Sequence, residues 1–167
     1  LKPSDGAPVS IPSQEMAVGC YYITSVCTTD VAKETQEGFK GMPLMADEEE
    51  LTLAYQSGKI GLRELVVVKI NDQLIKTTYG RVWFNSILPK EFEYLNVPMA
   101  GSKALNDLIV KSLEIAGRLK TVKLIDSLKD IGFAGFTLSG LSLALPDMGY
   151  LAEKSSIIAA ADKRVVE

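Results

Sequence analysis

Histidine is absent from the 167 residues, which removes the side chain most often used as a general base near neutral pH and the commonest nitrogen ligand for a metal. Imidazole-based zinc chemistry is excluded with it. Cysteine is almost absent as well. Cys20 and Cys27 form no Cys-x-x-Cys pair, so there is neither a zinc ribbon nor a redox dithiol, and the apolar helical pattern around Cys20 predicts a buried, reduced thiol rather than half of a disulfide. No apolar run reaches the ~20 residues of a membrane-spanning helix. The start, Leu1-Lys2-Pro3-Ser4-Asp5-Gly6, has no signal-peptide pattern, so the expectation is a cytoplasmic protein with no membrane partner. A cationic excess is also lacking: 18 Lys and Arg against 21 Asp and Glu give a net charge of −3, leaving no surplus to neutralise a phosphate backbone. Phosphate-cradling glycine loops and a serine nucleophile elbow are missing too. The sequence predicts no catalytic residue, no metal ligand set and no bound cofactor of its own.

What is present is a globular composition, 47% hydrophobic and 23% charged, enough for one ordinary domain with a core. Pro3, Gly6, Pro8 and Pro12 favour an extended or turning start. Ser13 then offers an N-cap to a helix from Gln14 to about Thr24, in which Met16, Ala17, Cys20, Tyr21 and Ile23 recur at helical spacing. Gly19 in its middle costs roughly 1 kcal/mol against alanine and suggests a close backbone approach. Thr28 to Gly41 is polar and reads as a loop or hairpin tip. Asp47 with Glu50 three residues on starts a short helix over 48–57, which Gly58 stops. The runs 65–70 and 74–78 flank Asn71-Asp72 and predict a β-hairpin.

Gly80 to Leu88 reads as a helix ended before Pro89, and Glu91 to Asn96 as a strand. A stripe of Ala104, Leu105, Leu108, Ile109, Leu113 and Ala116 predicts a helix closed by Gly117. Thr121 to Ile131 predicts another, stopped by Gly132; Phe133 to Leu138 then looks strand-like, and Leu151 to Val166 helical. The interspersed order predicts an α+β fold with short, mostly antiparallel strands.

Four blocks give this pattern an affiliation: Ile11-Pro12-Ser13-Gln14-Glu15-Met16 running on to Tyr21-Tyr22-Ile23-Thr24; Ala54-Tyr55-Gln56-Ser57-Gly58-Lys59-Ile60; Thr77-Thr78-Tyr79-Gly80-Arg81-Val82-Trp83-Phe84-Asn85-Ser86; and Thr137-Leu138-Ser139-Gly140-Leu141-Ser142 through Asp147-Met148. In this order and over nearly the whole chain they resemble the largest subunit, β′, of bacterial DNA-directed RNA polymerase. The resemblance implies an internal segment, with residues 1–148 the pore and secondary-channel region and 149–167 the start of a funnel or rim helix. In that family the magnesium-binding triple-aspartate motif lies upstream and the bridge helix and trigger loop downstream, so magnesium belongs to the parent nucleotidyltransferase and the segment alone is expected to be inactive. The remainder of β′ and the β subunit are the implied partners, with DNA, RNA and nucleotides met through the whole complex and secondary-channel regulators docking at the rim.

The same resemblance marks Gln14, Ser139 and Ser142 as channel-lining candidates, and Arg81, Asn85 and Asp147 as supporting residues. Gln14 offers a neutral donor and acceptor near a helix start. Arg81, the only cation between Lys76 and Lys90, reads chiefly as a buried structural ion pair. Asp147 reads as a cap for the last helix, since one carboxylate is a poor magnesium site. Pro146 stands where many relatives carry an aspartate, which weakens any paired-carboxylate role. Lys123, Asp126 and Lys129 read as a solvated helix face; some relatives use this helix for a regulatory guanosine nucleotide, but Asp130 replaces their aromatic residue. The rival reading is a free-standing interaction module, disfavoured by apolar stretches such as Phe133 to Leu145 that want a larger covering surface.

Overall fold

The structure, a computed structural model, describes residue 3 and residues 8–142, 144–149 and 151–166. Helix α1 spans Glu15–Thr24. The polar stretch after it is not a plain loop: a five-residue helix, α2 (Val31–Thr35), forms there, tethered through Asp30, which pairs with Lys33 at 2.7 Å and accepts the Leu65 backbone N–H at 3.4 Å. A two-residue strand, β1 (Leu44–Met45), precedes α3 (Glu48–Gln56). The start of α3 carries the expected cap: Asp47, the N-cap, accepts from Glu50 N at 2.8 Å, and Glu50 reaches back past it to accept from Ala46 N at 2.6 Å. Gly58, at φ 72°, ends the helix where an L side chain would be strained.

Strands β2 (Val66–Ile70) and β3 (Gln73–Thr77) form the predicted hairpin. Both turn residues, Asn71 and Asp72, have positive φ (48° and 63°), the backbone sense that matches strand twist in a two-residue turn. The sheet order is β1-β2-β3, with β2 antiparallel to β3 and β1 added in parallel. Helix α4 (Tyr79–Ser86) follows, its N-cap Thr78 accepting from Arg81 N. Leu51, Ile60, Val66, Val68, Ile70 and Val82 fill the small core between α3, α4 and the sheet.

Residues 91–96 do not form the expected strand. They have no ladder partner among the described residues; the Asn85 side chain grips the backbone of Leu95 from both sides, and Asn96 donates to Lys76 O at 2.7 Å. Side-chain amides there do the work of strand pairing. Helix α5 (Gly101–Ile115) agrees with the predicted stripe.

The largest departure is α6, a single helix over Arg118–Ser139. Neither the stop at Gly132 nor the strand over 133–138 exists. Gly132 sits inside the helix because α1 crosses there: a Cβ on Gly132 would lie 2.7 Å from Met16 O, and one on Gly19 would lie 1.8 Å from Gly132 O. Glycine serves here to let two backbones touch, as expected at Gly19, and not to end a helix. Around the crossing lies the main core, with Cys20, Ile23, Phe84, Leu105, Ile109, Leu124 and Leu128 almost fully buried.

Beyond a 3₁₀ turn at Leu145–Asp147, helix α7 (Lys154–Val166) ends the chain. Residues 151–165 are all exposed. The accessible surface, 11,148 Å² for 18.1 kDa, exceeds the about 8,000 Å² expected of a compact monomer of that mass. Exposed Phe133, Leu138, Leu141 and Leu145 bear out the expectation that this stretch presents apolar surface.

Candidate functional site

The central polar feature is Arg81. Its guanidinium is 1% exposed, a placement that costs several kcal/mol unless every donor is satisfied. Nε donates to Thr24 O at 2.8 Å, and Nη1 reaches Glu34 Oε1 at 2.7 Å and Asn96 Oδ1 at 3.2 Å. One side chain on α4 therefore fixes the end of α1, the helix α2 and the 91–96 segment. Its neighbour Gly80 makes this possible, because a Cβ there would lie 2.1 Å from Ile23 O. In the Tyr79-Gly80-Arg81 block the glycine admits the carbonyl end of α1 and the arginine caps it. Asn85, one turn on, donates to both Arg81 O and Leu95 O at 2.8 Å and accepts Leu95 N at 2.7 Å. Arg81 thus takes the internal, ion-paired position expected of it.

Thr24 completes the network. Its hydroxyl donates to Cys20 O and accepts the Met99 backbone N–H, both at 2.8 Å. Sequence reasoning did not single out Thr24, Glu34 or Asn96. A lone arginine in an apolar block signals that acceptors must exist, but it does not name them.

Gln14 is the N-cap residue of α1 and exposed; Ser13 is not the cap, contrary to expectation, and no side chain caps this helix. The Gln14 backbone lies at φ 51°, ψ −124°, a region that costs a non-glycine residue of order 1–3 kcal/mol. Its carbonyl accepts Val18 N at 3.0 Å. Beside it, a hollow of about 190 Å³ is lined by Pro12, Met16, Ile125 and Lys129 among others.

The remaining candidates sit at the other end of α6. Ser139 is half-buried, its hydroxyl donating to Phe136 O at 2.6 Å and accepting Leu141 N at 3.1 Å, so it terminates the helix locally. Ser142 is exposed. Asp147 accepts Ala144 N at 2.9 Å and so caps the 3₁₀ turn. It does not cap α7, which begins seven residues later at Lys154. Gln14 and Ser139 are not brought together: α1 packs on α6 near Gly132, and seven further residues of helix put Ser139 about 10 Å along the axis. Lys123, Asp126 and Lys129 are exposed, with Lys129 paired to Asp130 at 3.1 Å.

Burial pushes the Cys20 thiol up to about 12 and the Tyr94 phenol up to about 12. Cys27, half-exposed, is drawn down by the hydrogen bond from Thr29, and Asp30 by its bond to Lys33. Both cysteines are free thiols. Among the described residues no three His, Cys, Asp or Glu side chains converge as a metal site. The described carboxylates therefore do not fit a magnesium centre, which requires clustered oxygen ligands. Among the described residues no helix is long and apolar enough to cross a membrane.

Comparison with known proteins places this architecture. The β′ subunit of DNA-directed RNA polymerase from Methylacidiphilum infernorum is 38% identical over 177 residues, covering 99% of this chain and 12% of the relative. That from Thermosipho melanesiensis is 38% identical over 167 residues, 100% of this chain and 10% of the relative. That from Fusobacterium nucleatum is 35% identical over 168 residues, 100% of this chain and 12% of the relative. The chain thus spans about a tenth of the length of the curated relatives it matches. A family model described as RNA polymerase Rpb1, domain 3 matches residues 1–148, and on these matches the chain belongs to the RNA polymerase Rpb1 domain 3 family.

Proposed function

We propose that the chain forms part of the wall of the pore through which nucleotides reach, and backtracked RNA leaves, the active centre of a bacterial DNA-directed RNA polymerase. Similarity along the entire chain to subunits bearing that name carries the reading. Residues 1–148 are the pore and secondary-channel region, and 149–167 begin the rim helix. The parent enzyme is a magnesium-dependent nucleotidyltransferase of the cytoplasm. Catalysis is supplied elsewhere in the subunit, and this segment shapes the path.

The large accessible surface and the exposure of residues 151–165 support a segment built to be covered by the rest of β′ and by β. An isolated helix of 13 residues is marginal in water without tertiary contacts. Secondary-channel regulators dock on the rim that α7 begins, while DNA, RNA and nucleotides are met through the complex. Within the segment, Gln14, Ser139 and Ser142 face the channel, and Arg81, Asn85 and Asp147 support the walls.

The strained backbone at Gln14, held at a helix start with an exposed amide, supports its channel role, since strain of this kind collects at functional positions. The test is Gln14→Ala in assembled polymerase. One neutral hydrogen bond is worth about 0.5–1.5 kcal/mol, so apparent nucleotide affinity or cleavage of backtracked RNA should change about two- to tenfold with the melting temperature held. Unchanged kinetics with a large drop in melting temperature overturns the assignment.

A further inference from the structure

Helices α3 and α4 leave between them an open groove of about 480 Å³. Its base is Val82, 6% exposed; Tyr79 and Trp83 rise from successive turns of α4, and Leu53, 65% exposed, faces them from α3. These walls are stiff. The Tyr79 ring is stacked on Tyr55 at 4.0 Å and 16°, and Trp83 also packs against the main core. Two carboxylates, Glu48 and Glu49, line the same groove. Glu50 beside them is occupied by the Ala46 backbone N–H, whereas Glu48 and Glu49 enter none of the ion pairs among the described residues.

Rigid aromatic walls with a protruding leucine are the makings of a protein-binding hot spot, and unpaired acidic groups at the edge select the sign of the partner. We infer that this groove docks a polypeptide segment carrying a Lys or Arg beside an aliphatic residue. The aliphatic side chain lies over Leu53 and Val82. The cation's methylene stem lies along Trp83, and its charged end meets Glu48 and Glu49. Nucleic acid is opposed at the same place because its phosphates would face both carboxylates. This surface goes beyond the pore reading and rests on it only in that the segment belongs to the same assembled enzyme.

The experiment places the photoreactive residue p-benzoylphenylalanine at position 53 of the full-length subunit, with assembly checked by co-purification before irradiation. Failure to assemble would count against the pore reading; the groove is judged on assembled enzyme alone. The expected result is a cross-linked peptide with Lys or Arg next to an aliphatic residue, whose yield falls about fivefold in Glu48→Gln/Glu49→Gln, as loss of partly exposed ion pairs implies. The glutamine pair keeps the Asp47 cap and α3. The same probe at exposed Leu119 should give a yield indifferent to that change. No cross-link, a cross-link to nucleic acid or to a segment without a cation, or a yield unaffected by the glutamine pair overturns the inference.

Discussion

Replacing Gly19 by alanine should be among the most damaging single-methyl additions to this chain. The added Cβ would lie 1.8 Å from Gly132 O and 2.6 Å from Phe136 N. Both are backbone atoms of α6, so no rotamer change relieves the clash. Ordinary contact requires about 3.4 Å, so the helices must part by about 1.5 Å at their crossing. Parting them loosens the packing of Cys20, Ile23, Leu128 and Ile131, all 4% exposed or less. Overpacking of this kind costs typically 1–3 kcal/mol and more where backbone must move, and the about 1 kcal/mol gained in helix propensity offsets only part of it. With backbone of both helices displaced, the gross cost is at least the about 3 kcal/mol at the top of that range, so a net loss of about 2 kcal/mol or more is expected, a large share of the roughly 5–15 kcal/mol that holds a domain together. Urea unfolding followed by circular dichroism measures it. Gly149→Ala is the control, since its Cβ meets nothing within 4 Å, and it should be close to neutral. A Gly19→Ala variant within about 1 kcal/mol of the parent, with the same dependence on urea, would refute the reasoning.

Other consequences are open to measurement. Arg81→Met should destabilise by about 3–5 kcal/mol in chemical unfolding, because Glu34, Thr24 O and Asn96 all lose their shared donor; a loss under 1 kcal/mol would mean that the network is dispensable. Gln14→Gly should raise stability by about 1 kcal/mol through relief of the positive φ, read as a higher urea midpoint, and a lower midpoint would show that the glutamine side chain has a structural task. Burial raises the folded-state value of Cys20 from 9.0 to about 12, so its contribution is complete below pH 9 and drains away as pH rises toward 12. Cys20→Ala should flatten the fall in stability across that window, and in the folded parent only Cys27 should react with a thiol reagent at neutral pH.

The parts legible in the sequence were those governed by local chemistry. Asn71-Asp72 tolerates positive φ and so declared its hairpin; Asp47 and Glu50 declared the start of α3 through an N-terminal cap. Where residues act on distant partners, local reading erred. Gly132 resembles a helix stop until it is known that Gly19 lies against it, and then the same residue explains an unbroken α6. Residues 91–96 have strand-like composition but find no strand to pair with among the described residues: Asn85 takes both backbone hydrogen-bonding groups of Leu95, and the Asn96 side chain ties the segment to β3 by donating to Lys76 O. Helix α2 is held by Asp30 and by Arg81 through Glu34, contacts that no periodicity reveals. The buried, ion-paired state of Arg81 was legible in kind, since a buried arginine needs acceptors, whereas their identities came only with the fold. Asp147 reads as a cap and is one, but of the 3₁₀ turn rather than of α7, because its carboxylate accepts the backbone N–H of Ala144 and α7 starts only at Lys154.

The pore reading is tested most directly by placing p-benzoylphenylalanine at position 14 of the full-length subunit and irradiating assembled polymerase halted on RNA that has been made to backtrack. A residue on the pore wall should cross-link to the extruded 3′ segment of the RNA, and the product should disappear when the transcript is returned to its forward register. Cross-links only to protein, or RNA cross-links indifferent to backtracking, would contradict the assignment of this chain to the channel.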